Sequence, residues 1–193
     1  MSDQQGSPFQ QPASAANEWT KLVFVFNQLL RGKATAALVK VLACSNTGGI
    51  APVGTVDVQP LVNQVDGLGA PTPHGPIYSL PYHRLQGGAM AVIIDPVPGD
   101  IGVAVFCSRD TSAAVSAKAQ ANPASDRVMD WADGMYFGGF LNAAPTSYVA
   151  YVPGQGIEIV DPLAVTIQAP TVTVNATTKA QVTSPDIELV GNT

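Results

Sequence analysis

The chain has 193 residues, enough for one ordinary domain with an appendage or for two small domains. Nine basic residues against fourteen acids leave a net charge of -5, which argues against a nucleic-acid partner, because phosphate binding needs clustered Lys and Arg. With 46% hydrophobic and only 12% charged residues, disorder throughout is excluded, and much of the surface is left to be covered by other copies of the chain.

Residues 1–16 are rich in Gln, Ser, Pro and Ala and read as a flexible arm. The opening "MSDQQGSPFQQPASAAN" carries no basic stretch of the kind that begins a secretory leader. No apolar run approaches the ~20 residues that cross a bilayer. A soluble protein made in a cytoplasm is expected.

The segment 17–33 is the predicted docking helix, with its helical body at 17–31. Trp19, Leu22, Val23, Phe26, Leu29 and Leu30 fall at helical spacing and make one apolar stripe. Asn17 suits the N-cap, Glu18 the positive N-terminal end, and Arg31-Gly32-Lys33 the stop. The stripe is expected to pack on the neighbouring domain. Its polar face lacks the basic cluster of a membrane-surface helix.

The segment 34–151 is expected to be a small barrel with a loop and helix elaboration, and from Ala34 to Phe106 its signals are those of strands and turns. "ATAALVKVLACS", "VGTVDVQPLV", the proline-bearing "HGPIYSLPY", and the apolar pair "GAMAVIID" and "DIGVAVFCS" joined by "PVPG" make about five short strands. Prolines place the third at an edge. Five strands with a helical accessory fit a small β-barrel of the OB type. Pro98 and Gly99 set a tight reversal, where Asp100 can accept from backbone amides of the turn. Arg109 and Asp110 at the far strand end can pair with each other or between subunits. Cys44 and Cys107, the two cysteines, lie in apolar runs and read as small buried hydrophobes rather than a disulfide or zinc ligands.

Residues 111–145 are less regular. "TSAAVSAKAQAN" reads as a short helix stopped by Pro123, and "RVMDWADGMYFGGFLN" as an ordered packing loop. Trp131, Tyr136, Phe137 and Phe140 are expected to be buried contacts, since no basic residues interleave them as a base-stacking platform would need. Asp130 and Asp133 are the best carboxylate pair for acid–base work. No His, nucleophile or glycine-rich pocket accompanies them, and a non-enzymatic reading is preferred.

The tail, 152–193, repeats itself at a fifteen-residue step. Ile157, Val172 and Ile187 coincide, as do Ile159, Val174 and Leu189. Val165 and Ile167 map onto Ala180 and Val182, and Pro170 onto Pro185. Each predicted strand turns one narrow apolar row inward and Thr, Gln, Asn or Glu outward. A stack this thin cannot bury its own row. Covering ten such side chains is worth roughly 15–30 kcal/mol. Three chains wrapped about one axis, a homotrimeric triple-stranded β-helix rod, would cover them and protect the strand edges. The alternative is that the tail adds two more strands to the preceding barrel.

A barrel followed by a thin repetitive rod resembles the central spike proteins of contractile phage tails. The closest likeness is to those whose N-terminal part is an OB-fold with a helical elaboration. The residues that carry it are "HRLQGGAMAVIIDPVPGDIGVAVFCSRDTS" at 83–112 and "NPASDRVMDWADGMYFGGFLN" at 122–142, and the likeness spans roughly 34–193. It implies a virion protein of the tail baseplate, a homotrimer held by hub proteins at its N-terminal side and driven transiently through the host outer membrane. Related spikes often bind iron at the tip through a His-x-His pair from each chain. Here His74 and His83 are the only histidines and lack that spacing, so no cofactor is expected, and a separate small protein is expected to cap the rod at "ELVGNT". The alternatives are a nucleic-acid-binding OB protein and the spike of a phage-tail-like bacteriocin or secretion particle.

Overall fold

The computed structural model describes residues 16–66, 69–188, 190 and 191. The arm predicted at 1–16, apart from Ala16, and the predicted rod residue Leu189 lie outside the described residues. The chain divides into two compact units between Ala143 and Ala144.

The first unit opens with helix α1, Glu18–Arg31. Asn17 Oδ1 accepts from the Thr20 N–H at 2.9 Å while Thr20 Oγ1 accepts from the Asn17 N–H at 3.1 Å, which satisfies two of the first-turn donors reciprocally. Gly32 ends the helix, its N–H bonding Leu30 O. None of the helix is buried, so the expected packing of its stripe on the adjoining domain does not occur within this chain.

The strands of this unit are β1 (Ala36–Cys44), β2 (Thr55–Pro60), β3 (Gln64–Val65), β4 (Pro71–Thr72), β5 (Ile77–Pro81), β6 (Leu85–Gly87), β7 (Met90–Val92), β8 (Ile101–Phe106) and β9 (Gly134–Phe137). Five of them form one antiparallel sheet in the order β5-β2-β1-β8-β9. Alternation writes the inner face: Val39 and Val41 of β1, Val56 and Val58 of β2, and Ala104 and Phe106 of β8 are buried, with exposed or half-buried residues between them. Register slips between Val41 and Ala43 and between Val56 and Val58 bend the sheet. It curls into a half-barrel whose terminal strands touch at one point, where Tyr82 and Tyr136 form a parallel bridge and the His83 N–H reaches Tyr136 O at 2.8 Å. Leu80, Tyr82 and Tyr136 complete the core there. Gly102 is required by this closure, since a Cβ would run into the Tyr136 ring and the Phe137 carbonyl.

Three expectations are corrected in this unit. "GAMAVIID" and "DIGVAVFCS" do not form a hairpin: β7 pairs with β6 in a separate two-stranded ribbon, whereas β8 pairs with β1 and β9. Pro96 and Pro98 in the connecting segment have no N–H to give a ladder, and Asp95 is drawn inward, as described below. Helix α2, Ser112–Ala117, ends at Lys118 in a left-handed conformation (φ 49°), ahead of Pro123. Cys44 and Cys107 are half-buried rather than buried, Cys44 lying against the core.

The second unit holds one hairpin, β10 (Tyr148–Val152) paired with β11 (Gly156–Val160). Gly154 (φ 78°) and Gly156 (φ 106°) take the left-handed conformations of its turn. The division of the chain precedes this hairpin, so the predicted boundary at 151/152 cuts through β10. β11 pairs with β10 and not with the five-stranded sheet, which removes the reading of the tail as two further barrel strands. The predicted strands around Val172 and Ile187 are not formed in the single chain, where the described residues beyond Val160 carry no strand. A lone extended segment has no neighbour for its backbone groups, and Pro162, Pro170 and Pro185 interrupt any local pairing.

Candidate functional site

The turn at 97–100 is fixed from both sides. The Asp100 carboxylate accepts from the Val97 N–H at 2.9 Å and from Asn142 Nδ2 at 3.2 Å. Gly99 takes a φ of 105°, and its N–H reaches Val41 O at 2.9 Å while the Val41 N–H reaches Asp100 O at 2.8 Å. The turn therefore docks on β1 where that strand slips register. Pro98, Gly99 and Asp100 do come together, as a clamp on the sheet and not as a link between adjacent strands.

Arg109 and Asp110 do not pair. Arg109 is exposed, and the cation facing buried Asp110 is Arg127, at 3.0 Å. Arg127 also meets the buried Asp133 through Nη2 and Nε, each at 3.1 Å. Asp110 further accepts from the Ser112 and Ser125 hydroxyls, both at 2.6 Å, and Asp133 from the Thr111 N–H at 3.0 Å. These hydrogen bonds, foremost those from Ser112 and Ser125, lower the Asp110 pKa from 3.8 to about 2 against the cost of burial. Asp133 is lowered chiefly by Arg127. The cluster ties the start of α2 to the segment that leads into β9. It also dismantles the Asp130–Asp133 pair: Asp133 is locked under Arg127, and Asp130 caps the 3₁₀ turn Trp131–Asp133 by accepting from the Ala132 N–H at 2.9 Å.

A second ion pair was not anticipated from sequence. Arg84 Nη2 lies 2.6 Å from Asp95 Oδ1, with side chains 2% and 4% exposed. Tyr82 donates to the same oxygen at 2.5 Å, the Gly48 N–H to the other oxygen at 3.0 Å, and Arg84 Nη1 to Ala51 O at 2.6 Å. The Tyr82 and Arg84 bonds hold the Asp95 carboxyl below its ordinary value. One signal existed: with only 12% charged residues, an arginine flanked by "PYH" and "LQGG" calls for a partner, and Asp95 in "IIDP" is the acid of the adjoining apolar run.

The aromatics of the packing loop divide. Tyr136 is buried, and Trp131 is half-buried against Phe106 (ring centroids 4.8 Å apart) and His74 (4.3 Å). Phe137, stacked on His83, and Phe140 stay substantially exposed, contrary to the expected burial. Both histidines are thus engaged with aromatic rings. Among the described residues no group of three His, Cys, Asp or Glu is placed to hold a metal ion, and no helix is long and apolar enough to cross a membrane.

The largest unexplained feature is apolar surface. In the tail, Ile157, Ile159, Val165, Ile167, Val172, Val174, Val182 and Ile187 are each at least 54% exposed, and no described residue of the second unit is buried. On α1, Trp19, Leu22, Val23, Phe26, Leu29 and Leu30 range from 40% to 72% exposed. Isolated exposed hydrophobics need no account, but large contiguous apolar patches mark sites where a protein, a membrane or a ligand binds. From 152 onward the charges are four acids, Glu158, Asp161, Asp186 and Glu188, against Lys179. Neither a protein-family model nor a curated protein matches the chain.

Proposed function

We propose that this chain is a non-enzymatic structural subunit of the baseplate of a contractile phage tail, the central spike that sheath contraction drives through the host outer membrane. The observation that carries the reading is the second unit, whose apolar residues recur at a fifteen-residue step yet stand open in a single chain. Three copies wound about one axis would place Ile157, Ile159, Val165, Ile167, Val172, Val174, Val182 and Ile187 in a dry interior. They would also supply each extended segment with neighbours for its backbone groups.

The first unit supports the reading through its strand order. The order β5-β2-β1-β8-β9, antiparallel throughout and meeting itself by the parallel Tyr82–Tyr136 bridge, curls the sheet into a half-barrel, which fits the expected five-stranded OB-type barrel. In this reading the barrel side binds the hub. The rod points at the host with an outward face of Thr, Gln, Asn and acids that neither sticks to apolar membrane interior nor is attracted to anionic lipid. Force reaches a narrow tip, and interlocked chains resist it because none can unravel alone. A separate protein caps the tip.

Sedimentation of the purified protein tests the foundation: a mass near three times 19.9 kDa is expected, and a stable monomer would remove the proposal. A label at the C-terminus should mark the distal centre of the baseplate in images of intact particles. Label along the tube or in a capsid would overturn the assignment. The same images separate a phage from a phage-tail-like bacteriocin or secretion particle, which would use the same mechanics.

A further inference from the structure

We infer that α1 is a self-association element that closes on the α1 helices of two further copies of this chain; the inference rests on the three-copy reading above. Trp19, Leu22, Phe26 and Leu29 recur at spacings of three, four and three, the a and d seam of two heptads. Val23 and Leu30 flank the seam on one side and Val25 on the other, whereas Thr20, Lys21, Phe24, Asn27, Gln28 and Arg31 occupy the opposite face, where Thr20, Phe24 and Gln28 are half-buried. The seven apolar side chains of the seam and its flanks are 40% to 72% exposed, and no residue of the helix is fully buried on its own unit.

Two features of the face choose its occupant. Of the flanks that would carry charge to select a different helix, Val23, Val25 and Leu30 are apolar, and the one acid, Glu18, is paired with Lys21 of its own helix at 2.9 Å, so the seam offers little charge code for a foreign partner and is complementary to itself. The face is also wider than the narrow a/d stripe that a two-stranded coil covers. With apolar flanks on both sides, each helix needs two neighbours, the number the tail independently requires.

Length fits as well. A helix of 14 residues is marginal by itself, but three helices tethered to one rod meet at an effective concentration on the order of mM. The capping box at Asn17 and Thr20 holds each helix ready for association.

The test uses the full-length chain with a photo-crosslinking benzoylphenylalanine at position 22, or at position 27 as the control, beside sedimentation of the same samples. Covalent dimers and trimers from position 22, with cross-links mapping α1 to α1, and none from position 27 are the expected result. Phe26→Asp should abolish the position-22 products while the three-copy mass persists, because the tail still assembles. Cross-links from position 22 that map to residues 34–143, or an absence of cross-links in a sample of three-copy mass, would overturn the inference and leave the three-copy reading standing. A single-copy mass would sink both.

Discussion

Protonating Asp110 takes the acceptor away from the hydroxyls of Ser112 and Ser125 and the charge away from Arg127 at once. Asp95, Asp110 and Asp133 are all held below their ordinary values. A carboxyl depressed in the fold stabilises it at every pH above the unfolded value, and the contribution is lost as pH falls through the folded one. The melting temperature of the first unit should therefore be level from neutrality to near the unfolded value of 3.8 and drop steeply from there towards about 2. A melting temperature that stays level down to pH 2 would mean the clusters do not hold the fold. At the alkaline end the sign reverses. Burial, with Asp100 nearby, raises the Tyr136 hydroxyl from 10.0 to about 12, so its share of stability is present below 10.0 and is lost as pH climbs through that interval. That hydroxyl has no hydrogen-bond partner among the described residues although it is buried. Tyr136→Phe should consequently be neutral or stabilising by up to about 1 kcal/mol in a urea melt, and a loss of 2 kcal/mol or more would reveal a partner. At this scale the sequence was readable where a partner is local, as with Asp100 and Val97. It misled where two candidates competed: Arg109 adjoins Asp110 in sequence, but the chain reverses so that Arg127 faces it.

Elements were legible where burial is one-sided and pairing lies within the chain. β1, β2 and β8 declare themselves by alternation, and α1 by its spacing and its Asn17 cap. The β6–β7 ribbon was not legible, because apolar residues and prolines after β7 look the same whether they continue a ladder or run free. The tail segments near Val172 and Ile187 could not be settled in one chain for a physical reason: a strand is a relation between neighbours. This gives the tail mutations unusual discrimination. Val174 is 78% exposed in the single chain and Thr173 is also exposed, so Val174→Asp and Thr173→Asp should leave the melting of the first unit alike. In an assembled rod they diverge, since Val174→Asp brings three carboxylates to a dry axis at a cost of several kcal/mol each, whereas Thr173→Asp stays in water. Loss of the three-copy mass for Val174→Asp alone is expected in sedimentation; equal behaviour would show that the inward face has been assigned backwards.

The whole molecule separates a unit with its own core from one without. Among the described residues, all the buried hydrophobic ones lie between Ala34 and Tyr136, so deleting 157–193 should leave the first unit's thermal transition intact; on the proposed function it should still dock in a baseplate and give particles that do not infect. Normal infectivity with that deletion would show that the tail is not the piercing element. Among the described residues, those from 162 to 188 make no backbone-to-backbone hydrogen bond within their own chain. Their order in time follows from this. The first unit can fold as soon as it is synthesised, at a rate indifferent to how many other copies exist, whereas in the proposed three-copy rod the tail must wait for encounters. Refolding from denaturant should show a fast phase independent of protein concentration, followed by a slower phase whose rate rises with it. Dissociation, once the chains are wound, should lag far behind the conditions under which they assembled, so that heating and cooling curves fail to superimpose. On the proposed piercing role, a part used once, under load, long after it is made is better served by that hysteresis than by a large equilibrium stability.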